Sequence, residues 1–136
     1  MNANELMIGD WVTMYGIPLQ ITRLSEYGEY QDVKPIPITP EILKKNGAKH
    51  SVYEHPYFDY EPTEEELNDA LQYYPFHSYK LGTNIEVSFY PKEIRVEVFG
   101  QDFVDVFKIR GRKGDVYVHE LQHALRLCKI EKKIEL

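Results

Sequence analysis

The chain has 136 residues, of which 43% are hydrophobic and 28% charged, and its formal net charge is −6. A chain this long buries roughly two-thirds of the surface its unfolded form exposes, so one domain can stand without a disulfide or metal staple. The figures exclude general disorder, a disulfide scaffold and a membrane protein, and without a basic excess a general nucleic-acid binder is not expected, because phosphate neutralisation supplies most of such a protein's non-specific affinity.

The start, Met1-Asn2-Ala3-Asn4-Glu5, has no basic end followed by an apolar stretch, so no secretory signal is read and a cytoplasmic location is expected. Val12 and Met14 alternate with Trp11, Thr13 and Tyr15, and Leu19 and Ile21 alternate with Gln20 and Thr22. That pattern predicts two short strands joined near Gly16, with Tyr30 to Lys34 as a candidate third. Gly9-Asp10-Trp11-Val12 followed by a hairpin is similar to small SH3-like barrels. Lys34-Pro35-Ile36-Pro37-Ile38 must be extended, since alternate prolines forbid a helix. A short helix follows, with Thr39 as N-cap, Pro40 in the first turn and Gly47 just past the end. It is too short to persist alone, so Ile42 and Leu43 must dock it on a sheet.

Residues 48–76 read as an acidic, Tyr-rich insertion. Glu54 to Asp69 contains seven acids and no Lys or Arg, and Tyr53 to Tyr79 contains eight aromatics. Thr63 and Glu66 form a capping box, and Leu67, Ala70, Leu71 and Tyr74 follow at helical spacing as one apolar stripe that Pro75 ends. A strand meander over 77–109 comes next. Ile85, Val87 and Phe89 share one face, as do Ile94, Val96 and Val98, with turns at Tyr90–Glu93 and Gly100–Asp102. Phe103 to Ile109 is apolar on both faces, which suits a strand packed on two sides, and residues 76–81 are a candidate edge strand. A final helix over 115–128 is expected to start at an Asp115 cap, and Ile130 to Leu136 reads as a closing strand or an extended tail. Cys128, the only cysteine, lies in that helix's apolar pattern and reads as a buried, inert thiol.

These elements predict one α+β domain. An N-terminal SH3-like hairpin or half-barrel (1–38) and an antiparallel meander would carry two short helices and a C-terminal helix packed on the sheet. The charge is uneven: residues 1–100 carry 8 basic and 16 acidic groups, whereas 101–136 carry 8 and 6. Lys108, Arg110, Arg112 and Lys113 surround Gly111 and Gly114, which reads as a solvated loop, with a phosphate cradle as the alternative.

One motif looks like chemistry. His119-Glu120-Leu121-Gln122-His123 matches H-E-x-x-H, in which two histidines one turn apart hold zinc and the Glu is the base. At about 100° per residue, Tyr117, Val118, Leu121, Ala124, Leu125 and Cys128 fall on one arc, and His119, Gln122, His123 and Arg126 point the opposite way. The pair is therefore expected on the solvent side. No Gly or third His follows to complete the three protein ligands of a catalytic zinc, although His50, His55 or His77 could serve from upstream. The expectation is no cofactor, with zinc on His119 and His123, and Glu120 as base, as the alternative.

Leu6 to Val12, Val33-Lys34-Pro35-Ile36-Pro37-Ile38-Thr39-Pro40-Glu41-Ile42-Leu43-Lys44-Lys45-Asn46-Gly47, and Val118-His119 with Leu121-Gln122 occur together. On these stretches the chain resembles a family of small, uncharacterised proteins of Bacteroides-type gut bacteria and their phages and mobile elements. The resemblance covers both ends and hardly touches 48–76. It brings no activity and no functional residue. Similar sequences often have Gln and Asn at the positions of Glu120 and His123, which implies that the H-E-x-x-H here arose on a structural helix.

The expected function is a non-enzymatic binding or accessory protein with a protein partner, and neither nucleic acid nor membrane is expected as a partner. Tyr53, Tyr57, Tyr60, Glu64, Glu65, Asp69 and Tyr73 are its candidate contact surface, since Tyr offers area while its hydroxyl stays wet. Half-buried packing of those tyrosines is the plainer alternative. A minimal zinc peptidase is a second reading. A third is an acidic mimic of nucleic acid that inhibits a basic host protein.

Overall fold

A computed structural model describes residues 6–7, 9–21, 33–100 and 106–136. They form two antiparallel sheets and three helices, the mixed α+β architecture expected. In the small sheet, β1 (Trp11–Met14) lies between β2 (Ile17–Gln20) and β3 (Val33–Pro35). Tyr15 and Gly16, with φ of 51° and 80°, make the two-residue turn between β1 and β2. Left-handed backbone at both positions matches the twist of a tight hairpin. Leu6, Val12, Ile21 and Val33 close a small core of their own. Residues 30–32 of the candidate third strand lie outside the described residues.

The large sheet is a five-stranded meander in the order β4 (Lys49–Tyr53), β5 (Phe76–Leu81), β6 (Ile85–Phe89), β7 (Ile94–Phe99) and β8 (Val106–Gly111). Tyr79 pairs with Val87, Val87 with Val96, and Val96 with Ile109, so one row of side chains crosses the sheet on one face. Against this face lie Leu43 of α1 (Pro40–Lys45) and Val118, Leu121, Ala124 and Leu125 of α3 (Val118–Leu127). Thr39 caps α1 as expected, its side chain accepting from the Ile42 amide. Cys128 is buried, and its thiol faces the Val98 carbonyl at 3.7 Å.

Four expectations change. Residues 49–53, for which no strand was expected, form an edge of the large sheet. Lys49-His50-Ser51-Val52-Tyr53 lacks apolar alternation because β4 is an edge with little to bury, and its presence makes β5 an interior strand. β8 is the other edge, and its residues alternate between exposed and half-buried where two packed faces were expected; residues 103–105 lie outside the described residues. The cap of α3 is Tyr117, not Asp115. Residues 116–118 are held extended against 36–38, by Ile38 N to Val116 O at 2.9 Å and Val118 N to Ile36 O at 2.8 Å, so the helix cannot start earlier. The fourth concerns the faces of α3, described below.

The segment after α3 is an extended tail without strand pairing. Trp11 Nε1 donates to Ile134 O at 2.7 Å, and Asn46 exchanges two hydrogen bonds with the Glu135 backbone. No described helix is long and apolar enough to cross a membrane.

Candidate functional site

The apolar arc of α3 packs on the large sheet as its spacing predicts, but the opposite face is largely covered, with His123 and Arg126 half-buried. The small sheet docks on it. His119 is only 7% exposed and Gln122 is buried, which corrects the expectation of an outward histidine pair. The cause is a polar seam that sequence periodicity cannot register. Gln122 Oε1 accepts from Trp11 N at 2.9 Å, and its Nε2 donates to Gly9 O at 2.9 Å. Asp10, 0% exposed, accepts from the Met7 amide at 2.8 Å, from His123 Nε2 at 2.6 Å and from Arg126 Nη1 at 2.8 Å. A carboxylate only accepts, so His123 carries its proton on Nε2. A buried charge is tolerable when it is paired and hydrogen-bonded, and Asp10 is both. Gly9 has a φ of 93°, and a Cβ there would stand 3.3 Å from Arg126 Nη2, so glycine fits on both counts.

This geometry assigns a different task to each residue of the H-E-x-x-H motif. Glu120 Oε1 accepts from the Tyr117 amide at 3.0 Å and so caps α3. His119 stacks on Tyr117, and its ring centroid is 5.5 Å from that of His123. His123 spends Nε2 on Asp10. Among the described residues no group of three His, Cys, Asp or Glu side chains could hold a metal. The donor set within the described residues therefore does not supply the three protein ligands of a catalytic zinc. Of the upstream histidines considered as a third ligand, His50 and His77 bond to each other at 2.8 Å on β4 and β5.

The second region lies on the other face of the large sheet. Glu64, Glu65 and Asp69 are exposed on α2 (Glu64–Leu71), and Tyr53, Tyr57, Tyr60 and Tyr73 are exposed around it, Tyr57 at 88%. Thr63 and Glu66 make the expected capping box. Yet α2 buries none of its residues, and Leu67 and Leu71 of the apolar stripe are 38% and 44% exposed. Tyr60 donates to Glu66, which holds that carboxyl below its ordinary value with help from Thr63 and pushes the Tyr60 hydroxyl up.

Beneath this stretch the aromatics form a ladder. Tyr53 stacks on Phe76 and Phe76 on Tyr90, each with centroids 4.7 Å apart. The Arg95 guanidinium lies over the Tyr90 ring at 4.6 Å and over Tyr73 at 5.5 Å. Glu93 clamps Arg95 Nε at 2.8 Å and Arg110 Nε at 2.6 Å, and Arg110 above all holds the Glu93 carboxyl below its ordinary value. Between Tyr57, Phe58, Tyr73 and Tyr90 runs a groove of about 430 Å³. Sequence reasoning found the tyrosines and acids but missed Tyr90, Glu93 and Arg95. Only the strand register, which places Arg95 opposite Arg110 and Ser88, brings them together.

The basic residues 108–113 do not gather into one cradle. Arg110 is held by Glu93, and Lys108 stands opposite Glu97 on that same outer face, whereas Lys113 lines a cleft beside Tyr79 and Phe89. No family model matches this chain, and neither does any curated protein or solved structure.

Proposed function

We propose that the protein is a non-enzymatic, cytoplasmic binding module, an accessory protein of a mobile element or its host, that engages a basic protein segment through residues 53–74. One observation carries the reading: α2 leaves Leu67 and Leu71 exposed in a stretch holding seven acids and no Lys or Arg. A helix of eight residues is marginal alone, and its stripe gains most when something covers it. The acids set the sign of what covers it, and the groove lined by Tyr57, Tyr73 and Tyr90 supplies flat aromatic area for an extended segment. Nucleic-acid mimicry needs only the carboxylates and leaves the leucines unexplained.

The test is a selection from a random peptide display library at low salt. Enriched peptides should combine Lys or Arg with apolar residues, and they should fail on a Leu67→Glu, Leu71→Glu double variant. Enrichment of nothing, or of peptides that bind the double variant equally well, contradicts the proposal.

A further inference from the structure

The groove of about 430 Å³ beside the acidic stretch is lined from three places: the loop at Tyr57 before α2, the chain after α2 at Tyr73 and Tyr74, and the margin of the large sheet at Phe76 and Tyr90. Several of these rings meet at steep angles. Tyr73 stands at 89° to Tyr90 with centroids 6.0 Å apart, and Tyr74 at 63° to Phe76 with centroids 5.3 Å apart. Rings so placed leave notches between their faces.

The polar groups of the lining favour donation. Arg95 commits Nε and Nη2 to Glu93 and keeps Nη1 open among the described residues. The hydroxyls of Tyr57, Tyr73, Tyr74 and Tyr90 make no hydrogen bond among the described residues. No carboxylate, amide or aliphatic alcohol side chain lines the groove. A guanidinium only donates, and a phenol can donate or accept.

Charge is divided along the same surface. Arg95 already covers Tyr90 at 4.6 Å and Tyr73 at 5.5 Å, and it shares Glu93 with Arg110, so the Tyr90 end is net positive. The acids flank the other walls: Glu54 and Asp59 bracket Tyr57 in sequence, and Asp69 precedes Ala70, which lines the groove. A partner's cation is therefore drawn to the rim over 54–69 and not to the ring faces.

Building on the basic-partner reading, on which this rests, we propose that the groove takes a proline-rich segment in the polyproline II conformation, its proline rings in the notches between the tyrosines and a flanking Lys or Arg over the acids of 54–69. Such a segment has no internal hydrogen bonds, and each proline brings a carbonyl acceptor and no N–H. A groove rich in aromatic faces and donors answers that chemistry, whereas an ordinary extended segment brings N–H groups for which the lining has few acceptors. A preformed polyproline helix also loses little conformational freedom on docking.

The experiment is an amide NMR titration of the full chain with two synthetic peptides of equal length and charge, a Pro-Leu-Pro-Arg repeat and an Ala-Leu-Ala-Arg repeat. The proline repeat should give saturable shifts at Tyr57, Ala70, Tyr73 and Tyr90 and bind at least about tenfold more tightly than the alanine repeat. Tyr57→Ser should weaken the proline repeat several-fold; the position is 88% exposed, so the variant keeps the fold. Equal affinity for the two repeats, or tighter binding of the alanine repeat, overturns the proline inference and leaves the basic-partner reading standing. Binding of neither overturns both. Shifts that map away from the groove, or a Tyr57→Ser variant that binds the proline repeat unchanged, also overturn the inference.

Discussion

α2 and α3 are both amphipathic helices with an acidic first turn, and the protein uses them in opposite ways. α3 is buried on its apolar arc by the large sheet and largely covered on its polar side by the loop that carries Asp10. α2 buries none of its residues: Ala70 and Tyr74 of its stripe are half-buried, and Leu67 and Leu71 are exposed. An amphipathic pattern therefore states that two faces differ. What lies against each face is decided by chain that is distant in sequence, more than a hundred residues away for Asp10 and His123.

The sharpest way to break this contrast is to truncate one leucine in each helix. Leu121→Ala, in the shared core, should cost about 2–5 kcal/mol of stability in urea denaturation. Leu67→Ala should cost less than about 1 kcal/mol, because its side chain already meets water. Similar losses at the two positions would mean that α2 is packed after all.

Next in size is the polar seam. Asp10→Ala removes the buried carboxylate that accepts from the Met7 amide, His123 and Arg126, and should destabilise by about 2–3 kcal/mol, the scale of losing hydrogen bonds to a buried charged group. Gln122→Ala should cost about 1–2 kcal/mol by the same denaturation, because it frees the Trp11 amide and the Gly9 carbonyl at the sheet junction. Were His119 and His123 solvated, neither change would be felt.

The smallest effect is a titration. The Glu66 carboxyl lies below its usual 4.5, chiefly through the Tyr60 hydrogen bond. A depressed carboxylate contributes stability that is present above its unfolded value and is lost as pH falls through the folded one. The Glu66 carboxyl carbon, followed by NMR, should thus titrate with a midpoint below 4.5, and Tyr60→Phe should move that midpoint up. A midpoint that the substitution leaves unchanged would detach Tyr60 from the cap.

Much of the fold was legible because its signals are local. Thr39 and Pro40 announce α1, Thr63 and Glu66 announce α2, and alternation in 85–98 announces β6 and β7. β4 was not legible, because an edge strand half in water needs no alternation. Of the candidate surface, Tyr57, Tyr60, Glu64, Glu65 and Asp69 could be named from composition. Arg95 under Tyr90 could not, nor could the cover over His119, because both depend on which distant backbone comes alongside.

Hydroxyl-radical footprinting of the full chain, read by mass spectrometry and corrected for intrinsic reactivity, compares the two helices in one measurement. Tyr57, Leu67 and Leu71 should be oxidised rapidly, while His119, Leu121 and Leu125 stay protected. Oxidation of His119 as fast as Tyr57, or protection of Leu67 and Leu71 in the free protein, would contradict the account.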